Sequence, residues 1–247
     1  MNILAIIPAR MGSSRFPGKP MARINDKPMI GHVYERVKKC ELLTKTIVAT
    51  CDDIIFDYVE SIGGQAVMTS KNHERASDRA AEALNILEDQ DKIQYDIIIM
   101  VQGDEPMTNP LMISEAVQPM INDSSINVVN LVADINSQEE FEDRNCIKVV
   151  LDKENNAMYF SREPIPTRHL SEKVPMKKQV CIIPFRREFL FAYQNMEPTS
   201  LEIIESVDMM RILENGYNVK MIHTSFNTSA VDTKEDLEKV QFLMKDD

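Results

Sequence analysis

Four short apolar runs constrain this chain more than any other feature, because each ends abruptly in polar residues. They are Ile3–Ile7, stopped by Pro8; Thr46–Thr50, followed by Cys51-Asp52-Asp53; Ala66–Thr69, followed by a polar stretch; and Asp96–Val101, broken by Gly103. Proline cannot donate to a sheet ladder, so the first strand ends at Pro8. Between the runs lie segments of helical spacing. Lys27–Cys40 carries Met29/Ile30, Val33 and Val37 on one face, with Pro28 in its first turn, and Ile54–Ile62 is closed by Gly63-Gly64. Strand, helix, strand in alternation predicts right-handed crossovers and a mostly parallel sheet flanked by helices. The ligand crevice of such a sheet lies at the carboxyl ends of its strands.

The first of those ends is cationic. Arg10, Arg15 and Lys19 fall within ten residues, interleaved with Ser13, Ser14, Gly12 and Gly18. Cations, hydroxyls and backbone that can turn tightly suit a polyphosphate. The spacing is neither that of a Walker A loop nor that of the Gly-x-Gly-x-x-Gly fingerprint. At another strand end, Asp104 follows Val101-Gln102-Gly103. A carboxylate there, facing a triphosphate, is suited to hold Mg²⁺, which takes one or two carboxylates plus phosphate oxygens and water.

The 247 residues, 43% of them apolar, suffice for one large α/β domain or two small ones. A net charge of −11 argues against a nucleic-acid partner and requires that positive charge for an anionic ligand be concentrated locally. Cys40, Cys51, Cys146 and Cys181 show no Cys-x-x-Cys spacing, and His32, His73, His169 and His223 are dispersed. Neither structural zinc nor a disulfide framework is expected. No apolar run reaches membrane-spanning length and no signal peptide is evident, so a cytoplasmic protein without a membrane partner is expected.

Further along, the sequence reads as an amphipathic helix to about Glu88, a helix from Asn109-Pro110 to about Ile121, and strands at Asn127–Ala133, Cys146–Asp152, Ala157–Arg162 and Val219–Thr224. Glu188–Asn195 and Glu202–Glu214 read as helices. Thr233 caps a closing helix.

The opening loop reads Pro8-Ala9-Arg10, Ser13, Arg15 and Pro17-Gly18-Lys19-Pro20. It resembles the signature of the sugar-nucleotide cytidylyltransferases, above all the CMP-Kdo synthetase family (3-deoxy-manno-octulosonate cytidylyltransferases). His73, Ser77, Asp78 and Arg79, the run Val101–Pro106, Asn145–Val150, Tyr159–Pro166 and Ala230–Leu237 continue the likeness over nearly the whole chain. The resemblance implies one Rossmann-like cytidylyltransferase domain with a small antiparallel lobe, about 127–190, that covers the sugar and builds a homodimer interface. It implies attack by the anomeric hydroxyl of an acidic keto sugar on the α-phosphorus of CTP, with Mg²⁺ at Asp104 and Asp232 and release of pyrophosphate. Arg10, Ser13, Arg15 and Lys19 would hold the triphosphate. Ser77, Arg79 and Gln102 would lie along the ligands, and Arg162 could pair with the sugar carboxylate.

Several positions depart from the family pattern. Arg75-Ala76 replaces Ser-Gly, Gln179 stands at a His position, Ile183 at a Tyr position, and Asp208-Met209 replaces Glu-Gln. These cluster where the acceptor sits, while the CTP and metal motifs are intact. A cytidylyltransferase for another acceptor (an amino-Kdo, a nononic acid or a phosphonate) is therefore the alternative, and a non-catalytic nucleotide-binding homologue a further one.

Overall fold

The computed structural model describes residues 1–12, 16–169, 176–226 and 229–245. The expected alternation is present from the start. Strand β1 (Ile3–Ala9) leads through the basic loop and a short 3-10 turn (Lys19–Met21) to the small pair β2 (Arg23–Ile24) and β3 (Lys27–Pro28). Then follow α1 (Met29–Val37), β4 (Lys45–Thr50), α2 (Asp53–Ser61), β5 (Ala66–Met68), α3 (Ala76–Asp91) and β6 (Ile97–Val101). Strands β4, β1 and β6 run parallel, as does β5 beside β4.

The first helix begins two residues later than the spacing predicts. Lys27 precedes a proline and is pushed into extended backbone, so it pairs with Ile24 instead of turning into the helix. Helix α3 in turn runs past Glu88 to Asp91 and is closed by Lys92 in left-handed backbone (φ 55°).

Both faces of this sheet are covered, which is why its strands are continuously apolar. Ile3, Ala5 and Ile7 face α1, α2 and α4 (Pro110–Asn122). Leu4 and Ile6 face Ala80, Leu84 and Leu87 of α3. The chain then builds β7 (Val129–Asp134), α5 (Gln138–Glu142), β8 (Lys148–Leu151), β9 (Ala157–Ser161) and β10 (Lys177–Val180). Strands β7, β10, β8 and β9 form an antiparallel second sheet, completed by β12 (Lys220–His223), which lies parallel to β7.

Besides the small β2–β3 pair and β10, one further strand is missing from the sequence reading. β11 (Ile182–Arg186) follows β10 after the single residue Cys181 and joins the first sheet, antiparallel to β6. Pro184 conceals it, yet the sheet order β11-β6-β1-β4-β5 puts this proline on an edge strand, where a missing N–H is tolerated. Residues 127–190 thus contribute strands to both sheets.

The expected single helix over 202–214 is two. After α6 (Arg187–Gln194) come α7 (Ser200–Glu205) and α8 (Met209–Glu214), separated by Ser206 in left-handed backbone (φ 52°). Arg162 holds that corner. Its Nε donates to Glu205 O at 2.6 Å, its Nη2 to Ser206 O at 3.1 Å and its Nη1 to Arg144 O at 2.9 Å. Helix α9 (Lys234–Leu243) closes the described chain over Ile24 and Met29.

Candidate active site

Everything chemically active converges at the carboxyl ends of β1, β4 and β6. The basic loop leaves β1 at Ala9 and is closed by Gly18 N donating to Met11 O at 2.9 Å. Gly18 has φ 77°, a conformation that L side chains rarely adopt. Asp52, at the end of β4, accepts Met11 N at 2.8 Å and so anchors the loop from the neighbouring strand. Arg10 reaches His73 O at 3.3 Å and is otherwise exposed. Ser13 and Arg15 lie outside the described residues.

Lys19 turns inward. Its ammonium is 2.6 Å from Asp104 Oδ2 and 3.2 Å from Asp232 Oδ1. Burial alone would lower its pKa, but Asp104 and then Asp232 outweigh burial and hold it raised. Asp104 arrives there because Gly103 lets β6 pass close to β1; a Cβ at Gly103 would stand 3.2 Å from Pro8 O. Asp232 arrives because Val231 N donates to Asp104 O at 2.9 Å, stitching the two carboxylate loops together. Capping of α9 falls to Thr233 and Asp236, which leaves the Asp232 carboxylate to the cluster.

The donor set fits magnesium. Two carboxylates meet at one point, and Asp104 Oδ1 is buried with no partner among the described residues. No group of three or more His, Cys, Asp or Glu forms a cage among those residues. Two carboxylates supplemented by phosphate oxygens and water are what Mg²⁺ takes. Glu105, which sequence reading passed over, is buried beside Asp104. Burial first, and then the Asp104 charge, push it up to about 8. The adjacent acids Asp104-Glu105 were the available signal.

The second half of the site is built on α3 and α8. Ser77 is buried and donates to Asp208 Oδ2 at 3.4 Å. Asp208 Oδ1 is also bonded to Arg75 Nη1. Arg75 Nη1 lies 2.9 Å from Glu202 Oε1, and Glu202 takes a bidentate pair from Arg211 at 2.7 Å each. Asp208, Arg75, Glu202 and Arg211 are thus one chain of alternating charge. Burial raises Asp208, opposed by Arg75. Two departures from the family pattern are therefore partners of each other. The available signal was the cation and the acid appearing together.

Arg79, 2% exposed, donates to Thr69 Oγ1 and to Ser70 O at 3.3 Å. Among the described residues no carboxylate pairs with it, and its Nη2 is buried without a partner. A buried guanidinium served by neutral groups alone is suited to receive an acceptor-rich or anionic group. Gln102 N donates to Cys181 O at 3.2 Å, which places Gln102 and Cys181 side by side on the floor. Burial, together with Glu105, Asp104, Asp232 and Asp208, raises the Cys181 thiol well above its usual value. Asp104, Asp232 and Asp208 are thus all near enough to Cys181 for their charges to act on its thiol. Arg162 holds the corner that precedes Asp208, and Gln179 is bonded to Asn130 (Nε2 to Oδ1, 2.5 Å).

The chain is similar to known proteins over nearly its full length. Residues 4–225 match the cytidylyltransferase family. A 3-deoxy-manno-octulosonate cytidylyltransferase of Geobacter metallireducens is 43% identical, over 97% of this chain and 96% of its own length. One of Geotalea daltonii is 44% identical over 100% and 99%. A solved structure of CMP:2-keto-3-deoxy-manno-octonic acid synthetase complexed with CTP superposes with a TM-score of 0.88 at 37% identity, covering 99% of both chains. A parallel-sheet nucleotide fold, a cationic loop facing two carboxylates, and full-length likeness all point the same way: the chain belongs to the cytidylyltransferase family, among the 3-deoxy-manno-octulosonate cytidylyltransferases.

Proposed function

We propose that this protein transfers CMP from CTP to the anomeric hydroxyl of 3-deoxy-manno-octulosonate (Kdo) and releases pyrophosphate. The carrying observation is the meeting of Lys19, Asp104 and Asp232 at the mouth of the basic loop. Full-length likeness to Kdo cytidylyltransferases supports the choice of nucleotide and acceptor.

Arg10, Ser13, Arg15 and Lys19 hold the triphosphate and offset the charge that develops on pyrophosphate. Asp104 and Asp232 would hold Mg²⁺, which would neutralise charge on the phosphates. Arg79, Ser77 and Gln102 lie along the nucleotide and sugar. Gln179 and Asp208 meet the acceptor, with Arg162 fixing the corner before Asp208. Alignment of acceptor and α-phosphorus accounts for most of the acceleration, since no strong general base stands at the site among the described residues.

We read the chain as one catalytic domain whose 127–190 lobe covers the sugar and joins a second copy; edge strand β9 leaves Met158 63% exposed there. Its place of work is the cytoplasm, and a product activated with CMP serves lipopolysaccharide synthesis. No helix among the described residues is long and apolar enough to cross a membrane. A second reading, a different acidic acceptor, is favoured by the Arg75–Asp208 ion pair, because it alters the charge of the pocket wall.

Pyrophosphate release from CTP with Mg²⁺, against Kdo, its 8-amino analogue, sialic-type acids and phosphonates, tests both. Turnover with Kdo upholds the first. Turnover with another acid alone upholds the second, and silence with every acceptor overturns both.

A further inference from the structure

The segment that joins β5 to α3 carries no apolar residue from Ser70 to Arg75, and Lys71, Asn72 and Glu74 are exposed. Hydrogen bonds, not apolar packing, therefore set its place. Its far end is held by Arg75 on Asp208 and Glu202. Its near end is held from α3, by two side chains three residues apart that share one helix face. Arg79 Nη1 donates to Ser70 O at 3.3 Å and to Thr69 Oγ1. Glu82 Oε2 accepts Ser70 N at 2.8 Å. Ser70 is thus gripped by its carbonyl and its amide at once.

Glu82 also holds a second point of the segment. The same Oε2 lies 2.5 Å from His73 Nε2. A carboxylate only accepts, so Nε2 carries the hydrogen, in the neutral ring as in the imidazolium. Two donors, Ser70 N and His73 Nε2, converge on one oxygen and fix the turn between them. The direction of the His73 carbonyl is fixed with it. That carbonyl meets the basic loop, where it accepts Arg10 Nη1 at 3.3 Å. Arg10 is exposed, and among the described residues this is its bond.

We propose that Glu82 is a positioning residue for the triphosphate: it sets, through His73, the backbone oxygen on which Arg10 rests. A free arginine gives up much rotamer freedom when it grips a phosphate. A guanidinium steadied at one nitrogen has less to give up, and its remaining N–H groups stay available for phosphate oxygens. The inference rests on the CTP reading proposed above.

The test measures CTP affinity by calorimetry with Mg²⁺ and no acceptor, and KM by pyrophosphate release with Kdo or whichever acid sugar the wild type turns over. Glu82→Leu keeps a helix-forming side chain that accepts nothing. It weakens CTP binding about tenfold and raises KM for CTP, while kcat and KM for the acceptor stay within threefold. Glu82→Gln keeps an oxygen that can accept both donors, and stays within threefold of the wild type throughout. In an Arg10→Ala background Glu82→Leu costs less than a further twofold, because the group it positions is gone; a merely structural loss would add in full. Thermal melting reports folding, and His73→Ala, which severs the same relay, decides the matter by the same comparison where Glu82→Leu does not fold. Unchanged CTP affinity in Glu82→Leu, equal weakening with and without Arg10, or a Glu82→Gln as weak as Glu82→Leu overturns this proposal alone. A wild type that binds no CTP overturns the transfer reading, and this one with it.

Discussion

Lys19 Nζ stands 2.6 Å from Asp104 Oδ2, and the same ammonium reaches Asp232 at 3.2 Å. A lysine thus sits between the two oxygens that suit a divalent cation. A divalent cation at those oxygens would compete with the lysine and would free its ammonium for an anionic ligand. Lys19→Met is therefore expected to tighten Mg²⁺ binding by the nucleotide-free protein about tenfold, a step of about 1.4 kcal/mol. Without metal the variant leaves two carboxylates facing each other and melts lower; millimolar Mg²⁺ restores it. Calorimetry and melting with and without Mg²⁺ check both, and unchanged or weaker metal affinity counts against the relationship.

Asp104→Asn and Asp232→Asn keep size and hydrogen-bonding capacity while removing charge. Each is expected to lower kcat by about a thousandfold or more, the scale of losing a preorganised charge interaction in the transition state. Backbone geometry is spared because Val231 N bonds the Asp104 carbonyl, not its side chain. Single-turnover rates with intact CTP binding would show it; near-normal turnover in Asp104→Asn sinks the metal assignment.

Arg162 spends its guanidinium on Glu205 O, Ser206 O and Arg144 O. Arg162→Ala removes three bonds to backbone carbonyls, at about 0.5–1.5 kcal/mol each. Stability is expected to fall by about 2–4 kcal/mol in denaturant unfolding. Because the released corner precedes Asp208, KM for the acceptor should rise while KM for CTP holds. Equal rises in both would mean that Arg162 supports the nucleotide side as well.

Much of this was legible in the sequence, and the exceptions have physical causes. Alternating apolar runs gave β1, β4, β5 and β6, and the family signature placed Lys19, Asp104 and Asp232 before any geometry. β11 was hidden because Pro184 reads as a strand breaker until its place on a sheet edge is known. The break at Ser206 was hidden because Arg162, distant in sequence, imposes it. Arg75 and Asp208 read as two separate departures; only the fold shows them as one ion pair. Periodicity registers local burial, and each of these features depends on a contact between distant residues.

Glu105 gives the last prediction, with a defined sign. Burial and the neighbouring Asp104 push its carboxyl up to about 8 from an ordinary 4.5. Between those values the native protein keeps a proton that the unfolded chain has released. Stability from this group is therefore full below about pH 4.5 and declines as pH rises towards 8, by up to about 1.4 kcal/mol per pH unit for one proton. Glu105→Gln mimics the protonated acid at every pH and removes the decline. In metal-free buffer, the stability of the variant minus that of the wild type should grow steadily from pH 5 to pH 8. A difference that stays flat across this range would mean that Glu105 is ionised in the native protein at neutral pH, its charge held by Lys178 and Lys19, the cations that oppose the upward shift.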